Sequence, residues 1–207
     1  MSGMVRIVSI DIGYVNMGIV SCTSTEEGVV EFDYTTKVNI SHVLHNRVKP
    51  CDCKIPHTNE TCDRMMHFIQ EYQPVFDKAD IILIERQPPM GLKDVEALLA
   101  QTFRSKVQLV SPNKMHKFWG ISCYDYETRK QHTERIASEH VDLTIYERKH
   151  DVADAVCIAL FYVRTHYKPK RPKLPFDEFR FDKGHEFIVG SGLAHVTSTK
   201  LPKVPPE

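Results

Sequence analysis

Three apolar runs that end or begin in carboxylates constrain this chain more than anything else in it. Asp11 closes Val5-Arg6-Ile7-Val8-Ser9-Ile10, and Glu85 closes Ile81-Ile82-Leu83-Ile84. Asp151 and Asp154 open the apolar stretch 152–163. A carboxylate at the tip of a buried element is costly to keep charged unless a cation meets it there. Each acid also has an ordinary structural reading. Asp11 suits a strand-end residue capping a turn at Gly13, and Glu85 a salt bridge. Asp151 and Asp154 suit the acids of a helix start, favoured by its dipole. Neighbours on a strand face opposite sides, so Arg86 is an awkward partner for Glu85. Residues three apart on a helix share a face, so Asp151 and Asp154 can reach one site. Four carboxylates converging from three distant segments make a seat for divalent cations.

The rest of the chain supplies elements that can bring them together. Residues 5–11 read as a strand buried on both faces, followed by a turn at 13–16 and strands at 17–23 and 29–39. Two successive hairpins imply three antiparallel strands. Residues 58–76 carry helical spacing, with Met65, Phe68, Ile69 and Tyr72 on one side. Strand 80–85, helix 94–104, strand 107–110, a turn at 111–113 and helices 127–140 and 151–167 follow. Antiparallel strands first, then strands alternating with helices, predict a mixed α/β sheet.

At 207 residues the chain fits one domain, 1–167, followed by a tail, 168–207, that holds half of its twelve prolines. The tail opens Lys168-Pro-Lys-Arg-Pro-Lys173 and reads as extended or only locally ordered, a nuclear address or a DNA-binding arm. Net charge is zero, so a nucleic-acid site must show itself locally. No run of 18 apolar residues and no leader-like h-region occur, which argues for a chain neither membrane-spanning nor secreted. Its six cysteines are then expected in a reducing, intracellular compartment as thiols or metal ligands.

Oxygen ligands in this number favour Mg²⁺ or Mn²⁺ over zinc, and two such ions suit phosphodiester hydrolysis. Arg104, Lys106, Lys114, His116 and Lys117 cluster around Phe118-Trp119, and Arg129-Lys130 begins the next helix. Cations interleaved with aromatics suit phosphates and unstacked bases, although a solvated loop face reads the same way. Lys114, just after the Ser-Pro-Asn turn that follows a strand, is positioned to contact a scissile phosphate. Within the loop 41–62, Cys51, Cys53, His57 and Cys62 offer a structural zinc site of unusual spacing, or simply reduced thiols.

Five pieces of the sequence resemble the RuvC-like Holliday junction resolvases, in particular their branch in poxviruses and related large DNA viruses. They are Ser9-Ile10-Asp11-Ile12-Gly13 with Asn16, Ile84-Glu85-Arg86-Gln87-Pro88-Pro89, Ser111-Pro112-Asn113-Lys114, Tyr126-Glu127-Thr128-Arg129-Lys130 and His150-Asp151-Val152-Ala153-Asp154-Ala155. They fall in the family's order and span residues 5 to about 165. The resemblance implies a ribonuclease H-like fold with a five-stranded sheet flanked by helices. It implies a homodimer that makes paired, symmetric nicks in four-way DNA junctions during viral genome recombination, with two Mg²⁺ or Mn²⁺ per site. The family's four acids fall on Asp11, Glu85, Asp151 and Asp154, and its active-site lysine on Lys114, with Lys117 and Lys130 as nearby candidates. The proline-rich tail and the Cys/His loop are additions to the family pattern. A nuclease of the same fold acting on other branched DNA or on RNA–DNA hybrids, and a non-catalytic junction binder, are the alternatives. An actin- or sugar-kinase-like ATP-binding protein is excluded by length and by the missing second glycine-rich loop.

Overall fold

Strand β1 (Val5–Ile12) is apolar at five of its eight positions, and it takes the centre of the sheet, where both faces are covered. The structure, a computed structural model, describes residues 3–39 and 60–167. The turn at Gly13 returns the chain as β2 (Asn16–Ser24), antiparallel to β1, and β3 (Val30–Asn39) adds antiparallel to β2. Helices α1 (Thr61–Glu71) and α2 (Gln73–Lys78) lead to β4 (Ile81–Glu85), which lies parallel to β1 on its other side. Helix α3 (Lys93–Thr102) crosses to β5 (Val107–Val110), parallel to β4. Helices α4 (Pro112–Phe118), α5 (Tyr126–Ser138) and α6 (Lys149–His166) complete the described chain. The sheet order is β3-β2-β1-β4-β5, the mixed five-stranded arrangement expected from the sequence.

Helix boundaries shift by one or two residues at several points, and the two larger departures from the sequence expectation each involve a proline. The continuous helix expected over 58–76 breaks at Tyr72, and Pro74 sits in the first turn of α2, where its missing N–H costs nothing. Ser111-Pro112-Asn113, expected as a turn, starts α4, with Ser111 as N-cap and Pro112 inside the first turn. Helix α5 begins one residue earlier than expected, and the carboxylate of its N-cap Asp125 accepts from the Thr128 N–H at 2.8 Å.

Side-chain parity decides what each face of the sheet holds. Val8, Ile10, Ile12, Ile19, Ile82 and Ile84 pack against α1, α2 and α3 through Met65, Phe68, Phe76, Val95 and Leu99. Ile7, Val20, Cys22 and Leu83 face the other way, onto α6 with Met115 of α4 and Ala137 of α5. Burying each large aliphatic side chain contributes about 1.5–3 kcal/mol. Along β1 and β4 the parity of Ile7 and Leu83 continues to Asp11 and Glu85. The same alternation that builds the core therefore turns both acids toward α6.

Candidate active site

Asp11 and Glu85 stand on adjacent parallel strands, each one residue past the paired Ile10 and Ile84. Across from them, the first turns of α6 bring in Asp151 and Asp154, both buried. The N-cap of α6 is Arg148, so Asp151 lies inside the helix and is not its cap. This close approach depends on Gly18, paired with Asp11 across β1 and β2. A Cβ at Gly18 would fall 1.8 Å from the carbonyl oxygen of Asp151, so a glycine there lets helix backbone rest on strand backbone. Gly13 has a similar role in the turn, where a Cβ would meet the Asn16 carbonyl oxygen at 2.3 Å. The loop after Glu85 is held by Glu96, buried on α3, which accepts from the Gln87 N–H at 2.5 Å and pairs with Lys93 at 2.9 Å.

All four acids line one cavity of about 420 Å³, together with Gly13, Asn16, His116, Tyr126, Arg129, Lys130, Arg148 and His150. Burial, then the charges of Asp154 and Glu85, push the Asp11 carboxyl well above its ordinary 3.8, and Lys130 offsets this only in part. A side-chain hydrogen bond links the Asp11 and Glu85 carboxyls. Burial raises Glu85 as well, although that hydrogen bond and Lys130 pull it down. Lys130 makes an ion pair with Asp154. Burial lowers its pKa, but the charge and hydrogen bond of Asp154, then Asp11, outweigh burial and raise it above 10.5. Its ammonium also lies 5.2 Å from the centre of the Tyr126 ring. Burial, then Arg129, lowers His116 below 6.5. Asp151 faces the Arg148 Nε at 3.3 Å and the His150 Nε2 at 3.4 Å.

Acidic groups this crowded repel one another unless cations intervene, and here the protein's own Lys130 and Arg148 intervene. Hard carboxylate oxygens in this number fit Mg²⁺ or Mn²⁺. Among the described residues, no three His, Cys, Asp or Glu side chains are arranged to hold an ion as they stand. Two of the four acids engage Lys130 and Arg148.

The other residues singled out from sequence fall in several places. Lys130 and Arg129 line the cavity; Arg129 also donates from Nη1 to the Tyr124 carbonyl at 2.7 Å. Lys114 and Lys117 are exposed on α4 and do not line it. Trp119, at the C-cap of α4, packs edge-on to Phe118 and lies under the Arg164 guanidinium at 5.0 Å. Its Nε1 is buried without a hydrogen-bond partner. Arg104 and Lys106 precede β5, at the end of the sheet away from the acids, and Lys106 donates to the Asp77 carbonyl at 3.1 Å. Cys51, Cys53 and His57 lie outside the described residues, while Cys62 is exposed in α1. Arg148, His150 and Tyr126 were not singled out as individual site residues. His150 and Tyr126 carried a signal, since each stands in a stretch that holds an acid or a candidate lysine. Arg148, the cap before that helix, carried none.

No protein-family model matches the chain, and no curated protein matches its sequence significantly. Solved structures do match. A fowlpox virus resolvase, solved in complex with its substrate Holliday junction DNA, aligns with a TM-score of 0.57 at 16% identity. That match covers 77% of this chain and 97% of the other. The yeast mitochondrial Holliday junction resolvase aligns at 0.56 with 18% identity, over 77% of this chain and 79% of that one. A second structure of the fowlpox virus Holliday junction resolvase aligns at 0.53 and 16% identity, over 77% and 99%. At such identities the likeness speaks for architecture, and the architecture agrees with the resemblance read from the five motifs: the chain has the ribonuclease H-like fold of these resolvases.

Proposed function

We propose that this protein is a Holliday junction resolvase, a metal-dependent endonuclease that makes paired symmetric nicks in four-way DNA junctions as a homodimer. The observation that carries this reading is the convergence of Asp11, Glu85, Asp151 and Asp154, from two strands and one helix, on a single cavity. The fold shared with a resolvase solved on junction DNA supplies the substrate class.

In this reading the four carboxylates would hold two Mg²⁺ or Mn²⁺ ions. Bound there, the ions would supply an activated water and a stabilised leaving oxygen for phosphodiester hydrolysis. The protein's own part is positioning and charge. Strands β1 and β4 fix Asp11 and Glu85 rigidly, because their neighbours are core residues. Helix α6 fixes Asp151 and Asp154 on the same side. Lys130, held by Asp154, presents a cation where phosphate charge grows. Arg129 on the cavity wall suits the DNA backbone, and Tyr126, more than half exposed, offers a ring for a base. Residues 1–167 carry this work, in a reducing compartment that suits the buried thiols of Cys22 and Cys157.

The test is cleavage of a synthetic four-way junction in Mg²⁺, compared with linear duplex, flap and RNA–DNA hybrid. Preferential, paired nicking of the junction is expected. Equal rates on every substrate would leave a general nuclease. Nicking that survives in Asp11→Asn or Asp151→Asn protein would remove the assigned site. Asp151→Asn is expected to keep junction binding, since removing an acid also removes repulsion from phosphate.

A further inference from the structure

Two cations balance the acids of the cavity, and they differ in how firmly they are held. Lys130 is largely enclosed, its side chain 22% exposed, and it answers to both Asp154 and Asp11. Arg148 is on the rim, its side chain 54% exposed. Its backbone (φ −112°, ψ 89°) lies outside the helix that it precedes. Only one guanidinium nitrogen, Nε at 3.3 Å, reaches Asp151, while Nη2 stands 3.0 Å from the His150 Nε2. This is a loose, single-point contact by a group built for bidentate contact with carboxylate or phosphate. The carboxylate it meets is a proposed metal ligand.

We infer that Arg148 is a displaceable counter-ion of Asp151. A divalent cation on Asp151 competes for the same oxygens and releases the guanidinium, which then turns to a non-bridging oxygen of the scissile phosphate at the cavity mouth. Arg148 thus does two jobs in sequence: it keeps the metal-free acids from repelling one another, and then it binds substrate. This inference rests on the nuclease reading above. It makes a demand that a purely structural arginine does not, because removing Arg148 must strengthen metal binding and weaken catalysis together.

The experiment measures Mn²⁺ affinity by titration calorimetry without DNA, and single-turnover cleavage of a four-way junction, on the wild-type full chain and Arg148→Gln. An exposed ion pair contributes little, so the Mn²⁺ dissociation constant is expected to fall by about twofold to fivefold in Arg148→Gln. Cleavage is expected to slow by on the order of a hundredfold, as on loss of one charge-stabilising donor. Arg148→Lys, which restores the charge but not the fork, should return Mn²⁺ affinity toward wild type and recover cleavage only in part. Lys78→Gln, at the end of α2 remote from the acids, makes the same charge change and should leave Mn²⁺ affinity unaltered. Unchanged or weaker Mn²⁺ binding in Arg148→Gln overturns the counter-ion role. Tighter binding with undiminished cleavage overturns the phosphate role. Failure of the nuclease reading itself looks different: wild-type protein then neither cuts the junction nor shows Mn²⁺ binding that Asp11→Asn abolishes.

Discussion

Asp11 stands among like charges that folding alone does not neutralise. At neutral pH its burial beside Glu85 and Asp154 costs the metal-free protein stability. Asparagine has the same shape, no charge, and an amide that can donate to Glu85. Asp11→Asn is therefore expected to raise the Tm in EDTA by about 2–5 °C, corresponding to roughly 1–2 kcal/mol for a chain of this size. Adding Mg²⁺ should raise the Tm of the wild type and leave that of the variant nearly still. Differential scanning calorimetry with and without Mg²⁺ checks both, and a lower Tm for the variant in EDTA would contradict the electrostatic account. Lys130 and Lys114 make a second residue-scale comparison. Lys130→Met should slow single-turnover cleavage by about a hundredfold or more, while Lys114→Met, exposed on α4, should cost far less. The reverse order would return the active-site lysine to Lys114. Sequence could not separate these two, because a lysine reaches several ångströms and only the packing of α5 on α6 decides which ammonium meets Asp154.

At the scale of elements, the most exacting contact is backbone on backbone, β2 against the start of α6. Alanine at Gly18 would need the Asp151 carbonyl to retreat by more than 1 Å, taking Asp151 and Asp154 with it. Gly18→Ala is expected to cost about 1–3 kcal/mol through overpacking and to cut cleavage by about a hundredfold, the scale of a 1 Å misplacement. Denaturant unfolding and single-turnover rates read the two effects separately. A variant of full activity would mean that the helix start has slack. The elements themselves were largely legible. Apolar runs of four to eight residues marked β1, β4 and β5, and the two early turns marked the hairpins. Asp11 and Glu85 were legible for the same reason, since a strand tip is visible as the point where an apolar run stops. Gly18 was not: a glycine within an apolar strand acquires meaning only once the backbone opposite it is known. Nor was the start of α4, because Ser-Pro-Asn serves equally as a turn and as a helix cap with proline in the first turn.

For the whole molecule, the proposed dimer places one complete set of acids in each protomer, since all four line a single chain's cavity. Mixed dimers of wild-type and Asp11→Asn chains should then nick one strand of a junction and leave its symmetric partner intact. Denaturing gels with each strand separately end-labelled read this directly. Paired nicks from isolated mixed dimers, or none at all, would contradict a self-contained site per chain.

The acids come from the first strand, the fourth strand and the last helix of the described chain, and none of these segments carries more than two. A nascent chain or a proteolytic fragment that lacks α6 holds half of the constellation and no means of completing it. Under the proposed function, competence to cut DNA is thus withheld until the final helix has docked across the sheet. For a nuclease of the proposed kind, whose stray activity would break a genome, the order of its elements works as an interlock: an unfinished copy is harmless because it is unfinished.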